Sequence, residues 1–126
     1  MTTGIRVLVC GGRDFANASR LDDVLSALHT DTRGPIAVLI HGAARGADTL
    51  AGEWAERQRI RVEAYPADWE AEGRAAGPIR NKRMLDEGKP DLVIAFPGGR
   101  GTANMVKQAT ERGVEVMDVR ELKGSA

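Results

Sequence analysis

The residues best suited to chemistry are arginines set in glycine-rich corners. Pro97-Gly98-Gly99-Arg100-Gly101-Thr102 follows the apolar run Leu92-Val93-Ile94-Ala95-Phe96 and precedes a segment with Met105, Val106 and Ala109 on one helical side. A strand, a glycine turn and a helix in that order make a phosphate site. Glycine lets the backbone approach a ligand with no Cβ in the way. The unpaired N–H groups and dipole of the helix start favour an anion. Thr102 can cap the helix or offer its hydroxyl, and Arg100 adds a charged fork. A lone turn of this kind is as often only a turn.

Similar corners recur. Ile5–Cys10 ends in Gly11, Gly12, Arg13 and Asp14; Ile36–Ile40 ends in His41, Gly42, Arg45, Gly46 and Asp48. After Arg61–Tyr65 come Asp68, Trp69, Arg80 and Asn81. Arginine suits phosphate because its planar fork makes paired, charge-assisted bonds. Asp14 and Asp48 stand near helix starts, where capping is their ordinary work, and a free one can accept a ribose hydroxyl. His41 closes an apolar strand and reads as a buried, hydrogen-bonded histidine. Trp69 suits either stacking on a base or closing the core, and Phe15 and Tyr65 are as open.

The elements that must position these groups alternate. Apolar runs at 5–10, 36–40, 61–65, 92–96 and 114–117 read as strands. Between them lie a helix capped by Asn17 or Ser19 with Leu21, Val24, Leu25 and Leu28 inward, and a second with Leu50, Ala51, Trp54 and Ala55 inward. A third restarts at Pro78 after a long polar connection, and the fourth runs to Gly113. The tail 120–126 adds a short helix. This order predicts an α/β, Rossmann-like three-layer sandwich with a five-stranded parallel sheet in the order 3-2-1-4-5. All strand-to-helix loops then share one edge, and ligands bind where the strand order reverses.

The chain has 126 residues, which suits one domain over 1–126. Its 18 Lys and Arg balance 18 Asp and Glu, so total charge disfavours non-specific nucleic-acid binding and makes the arginine concentration more informative. A single cysteine, Cys10, ends an apolar run; it reads as a buried, inert thiol and suits a reducing, cytoplasmic setting. No signal peptide, membrane span or metal-ligand spacing is expected.

The stretches GGRDF (11–15), HGAARGAD (41–48), PADW (66–69), AGPIRNKRM (76–84) and AFPGGRGT (95–102) resemble the SLOG superfamily, and within it stand-alone YspA-like, cpYpsA-related domains. The resemblance implies a Rossmann-like fold and a nucleotide or ADP-ribose-like ligand, with no further cofactor and with homo-oligomers through helices bearing Trp54 or Met84. Relatives of the superfamily include phosphoribohydrolases of the LOG type and DprA-type single-strand DNA binders. Arg80 and Met84 match the LOG helix motif, and Gly98, Gly99, Gly101 and Thr102 match its glycine motif. Asn81 stands where that motif has lysine, and Met105 where it has the catalytic glutamate. The resemblance therefore carries phosphate binding and leaves acid–base catalysis without its residue. The leading expectation is a nucleotide-binding protein for sensing or sequestration. The alternatives are a nucleotide N-glycoside hydrolase with an altered catalytic set and a DprA-like single-stranded nucleic-acid binder.

Overall fold

Strand residues alternate between two faces, and both faces are covered. In the computed structural model, which describes residues 4–31 and 33–120, β1 (Ile5–Cys10) turns Val7 and Val9 to one side and Leu8 and Cys10 to the other. The first side packs on α1 (Ala18–His29) and α2 (Ala47–Arg57) through Leu21, Leu25, Ala51 and Trp54. The second packs on α4 (Ala76–Gly88) and α5 (Arg100–Glu111) through Met84, Leu85, Met105 and Ala109. The central strands bury both faces, as a parallel sheet requires, while the edge strands stay partly exposed.

The remaining strands are β2 (Ile36–His41), β3 (Arg61–Ala64), β4 (Leu92–Ala95) and β5 (Glu115–Asp118). They pair in parallel in the order β3-β2-β1-β4-β5, the order the alternation predicts. The fold is a Rossmann-like α/β sandwich. The order reverses between β1 and β4, so their following loops lie side by side. There Gly12 N donates to Pro97 O at 2.8 Å. A Cβ on Gly12 would lie 3.0 Å from Gly98 Cα, so the two corners touch backbone to backbone.

Two expectations are corrected and one falls outside the described residues. The 66–77 connection is largely helical: Asp68 accepts from Ala71 N at 3.0 Å and starts the one-turn α3 (Trp69–Glu72), a 3₁₀ turn spans Gly73–Ala75, and α4 begins at Ala76. Pro78 is thus the third residue of α4, where its missing N–H would have had no partner anyway. Trp54 and Met84 supply no apolar patch, being 1 % and 2 % exposed; the exposed large apolar side chains are Trp69 and Ile79. The expected C-terminal helix falls on residues that lie, after Arg120, outside the described ones. Among the described residues no helix is long and apolar enough to cross a membrane.

Candidate functional site

A cavity of about 490 Å³ opens at the C-terminal ends of β1, β2 and β4. It is lined by Gly11, Gly12 and Arg13 of the first corner, by Asp48 and Arg80, and by Gly99, Arg100, Gly101 and Thr102 of the fourth corner. Trp69 and Asn81 complete it. Eleven of the residues singled out by motif therefore share one cavity. Gly42 and Arg45 line a neighbouring cavity instead, and Asp14, Pro97 and Gly98 a third beside Gly12 and Arg13. Gly46 lines none of the three; its φ is +76° and a Cβ there would strike the carbonyl of Gly12, so conformation and packing both require glycine.

The start of α5 is uncapped. Gly99 precedes α5 and no side chain caps the helix, so the first amides, at Arg100, Gly101 and Thr102, have no intrahelical acceptor. Thr102 is the third helical residue rather than the cap, and is 4 % exposed. A Cβ on Gly98 would strike Thr102 Oγ1 and come within 2.6 Å of Gly12 N, whereas a Cβ on Gly99 or Gly101 would meet nothing within 4 Å. Gly98 is glycine for packing; Gly99 and Gly101 leave space on the cavity side.

Arg80 and Asn81 are part of a connected polar set. Arg80 Nη1 donates to Gly42 O at 2.5 Å, and its Nε to Asn81 Oδ1 at 3.0 Å. Asn81 Nδ2 donates to Gly101 O and to Asn104 Oδ1, both at 3.1 Å. Asn81, expected as a ligand contact, thus ties α4 to the first turn of α5. Burial and then the charge of Arg13 lower the Arg80 pKa, while the nearby Asp48 charge raises it. Asp48 is 6 % exposed, and its Oδ2 accepts from Gly42 N at 3.0 Å and Ala44 N at 3.2 Å. Burial pushes its carboxyl up to about 6, against the pull of those amides and of Arg80. Neither aspartate is a helix cap: Asn17 caps α1, Gly46 precedes α2, and Asp14 is exposed.

His41 is hydrogen-bonded as its position implies but only partly buried. Its Nδ1 accepts from Ala43 N at 2.9 Å, and burial followed by the Arg80 charge lowers its pKa, so it is held neutral. Cys10 lines the cavity, but burial pushes its thiol up to about 12, which leaves it unreactive. Met105, at the place of the hydrolase glutamate, is fully buried among the side chains under α5. Trp69 is 48 % exposed and so does not close the core. The Arg13 guanidinium lies 5.3 Å from its ring centroid.

Sequence reasoning missed Arg74, which lines the same cavity from the 3₁₀ turn. Its only signal was a basic residue in a connection read as irregular. Arg13, Arg45, Arg74 and Arg100 have no carboxylate partner among the described residues, whereas Arg6, Arg33, Arg57 and Arg112 each pair with one.

The protein is 37 % identical over 121 residues to the Gene 61 protein of Mycobacterium phage D29, a match covering 90 % of this chain and 94 % of that one. Its fold is similar to the X-ray structure of DNA processing protein A (DprA) from Streptococcus pneumoniae, with a TM-score of 0.73 and 20 % identity over 91 % of this chain. The chain spans 50 % of that DprA chain. The family model for YspA, cpYpsA-related SLOG proteins matches residues 5–71, the stretch holding the first two glycine corners and the Trp69 turn. By that match and the phage relative, the chain belongs to the YspA, cpYpsA-related SLOG family.

Proposed function

We propose that this protein binds a nucleotide or a nucleotide-derived, ADP-ribose-like signal in the cavity between the β1, β2 and β4 loops, for sensing or sequestration. The observation that carries the reading is charge sorting. In a chain of zero net charge, Arg13, Arg74 and Arg100 line one cavity without carboxylate partners among the described residues, beside the uncapped start of α5. The free amides of Arg100, Gly101 and Thr102 hold a phosphoryl group, and the guanidinium groups neutralise it. The base lies on the exposed Trp69 ring, whose other neighbour is already a planar cation. Family membership supports a nucleotide-related role.

Calorimetry with AMP, ADP-ribose and cyclic ADP-ribose isomers tests the reading. At least one binds the wild type and none binds Gly99→Asp, whose added carboxylate caps the α5 amides. If no member of the panel binds, or if Gly99→Asp binds as the wild type does, the proposal fails.

One observation favours a second reading, glycosidic cleavage: Asp48 lines the cavity and titrates near 6, within the range of a general acid. That reading requires release of free base from AMP-like substrates and its loss in Asp48→Asn. Binding without product release leaves the first reading alone.

A further inference from the structure

A second cavity, of about 320 Å³, adjoins the first and shares Arg13, Trp69 and Arg80 with it. Its own lining comes from the loop Gly42–Arg45 and from Pro66 and Ala67. No carboxylate lines it, and Arg45 has no carboxylate partner among the described residues. The nucleotide reading leaves this cavity unused.

The loop that carries Arg45 is held firmly. Gly42 N and Ala44 N donate to Asp48, Ala43 N donates to His41 Nδ1, Arg80 donates to Gly42 O, and Thr49 Oγ1 donates to Ala44 O at 2.8 Å. Ala43 is thereby kept at φ of +59°, a conformation that a residue with a Cβ rarely adopts. Backbone held in such a conformation by several side chains is characteristic of binding loops. The charged group this loop presents to the second cavity is Arg45.

We infer that the ligand carries a second phosphoryl group, on a different arm from the first, and that Arg45, with Arg13 and Arg80, receives it: the ligand is a nucleoside bisphosphate phosphorylated on both sides of its ribose. The inference rests on the nucleotide reading above and deepens it. Trp69, Arg13 and Arg80 line both cavities, and the Arg13 guanidinium lies 5.3 Å from the Trp69 ring centroid, so a base on Trp69 has guanidinium groups in each cavity. A diphosphate keeps both phosphoryl groups adjacent and fills only the first cavity. A bisphosphate separates them by the sugar and reaches both.

The test titrates wild type and Arg45→Ala with adenosine 5′-monophosphate, ADP, adenosine 3′,5′-bisphosphate and a tetranucleotide. Wild type binds the bisphosphate about tenfold or more tightly than the monophosphate, and ADP gains far less; in Arg45→Ala the bisphosphate preference falls to about one. Arg45 is exposed, so the variant folds, and an unchanged melting curve verifies it. Equal binding of monophosphate and bisphosphate overturns the second subsite while leaving the nucleotide reading intact. Absence of binding by every nucleotide overturns both. A tetranucleotide that binds more than about tenfold tighter than the bisphosphate overturns the small-molecule assignment in favour of a strand.

Discussion

Two adjacent glycines in the β4–α5 corner serve different ends. A side chain on Gly98 meets Thr102 and the Gly12 amide, while one on Gly99 meets open space. Gly98→Ala is expected to destabilise the fold by about 1–3 kcal/mol through overpacking. Gly99→Ala is expected to leave stability within about 1 kcal/mol, and to weaken nucleotide binding by crowding the anion. Paired urea melts and calorimetric titrations separate the two. Arg80 has a double duty of another kind: it ties the Gly42 carbonyl to Asn81 and stands as the countercharge to Asp48. Arg80→Ala is expected to cost about 1–3 kcal/mol of stability, because it orphans buried acceptors. It should also raise the Asp48 pKa further, which carbon-detected NMR of the side-chain carboxyl reads directly. Unchanged stability and titration would show that Arg80 is merely a surface charge.

At the scale of elements, the β2–α2 corner is built around one carboxyl group. Asp48 titrates near 3.8 when exposed and near 6 in the fold. Between those values the folded protein holds a proton that the unfolded chain has lost, so acidification favours folding. The contribution is complete below about pH 4 and is lost as pH rises through about 6, a change of about 1–3 kcal/mol. Asp86 and Asp118 act in a lower window: side-chain bonds from Lys82 and Arg120 hold their carboxyls below 3.8, and their contribution fades as pH falls through those values. Denaturation midpoints between about pH 4.5 and 7.5 should therefore decline for wild type and flatten in Asp48→Asn. A slope unchanged by that substitution would assign the effect elsewhere.

The elements also show which signals were local. Strand and helix order was legible because buried strands are continuous apolar runs, helices show their stripe, and Gly-Pro and Gly-rich corners punctuate both. That the corners would converge followed from right-handed crossovers alone. The helical nature of 68–77 was hidden, because it depends on the Asp68 cap and on Trp69 lying beside Gly77, where even a Cβ would come within 3.4 Å of the ring. Arg74 stayed hidden with it. The partners of Asn81 and Asp48 were equally illegible: Asn81 bonds the backbone of α5 and Asp48 the backbone of its own corner, which no sequence spacing reveals.

For the molecule as a whole, charged side chains fall into paired and unpaired sets. Arg6, Arg33, Arg57 and Arg112 are matched with carboxylates, some on exposed ground where each pair is worth about 0–1 kcal/mol. Arg13, Arg45, Arg74 and Arg100, unmatched among the described residues, line the cavities at the C-terminal edge of the sheet, where the strand order reverses. Nucleotide affinity should accordingly fall as ionic strength rises, while the melting midpoint shifts little. The central claim is that this edge grips a phosphate with the α5 amides and a base with Trp69. A titration of ¹⁵N-labelled protein with AMP tests it most directly. The account predicts the largest shifts at the amides of Arg100, Gly101 and Thr102 and at the Trp69 indole. Shifts confined to the opposite edge, or none at saturating nucleotide, would contradict it.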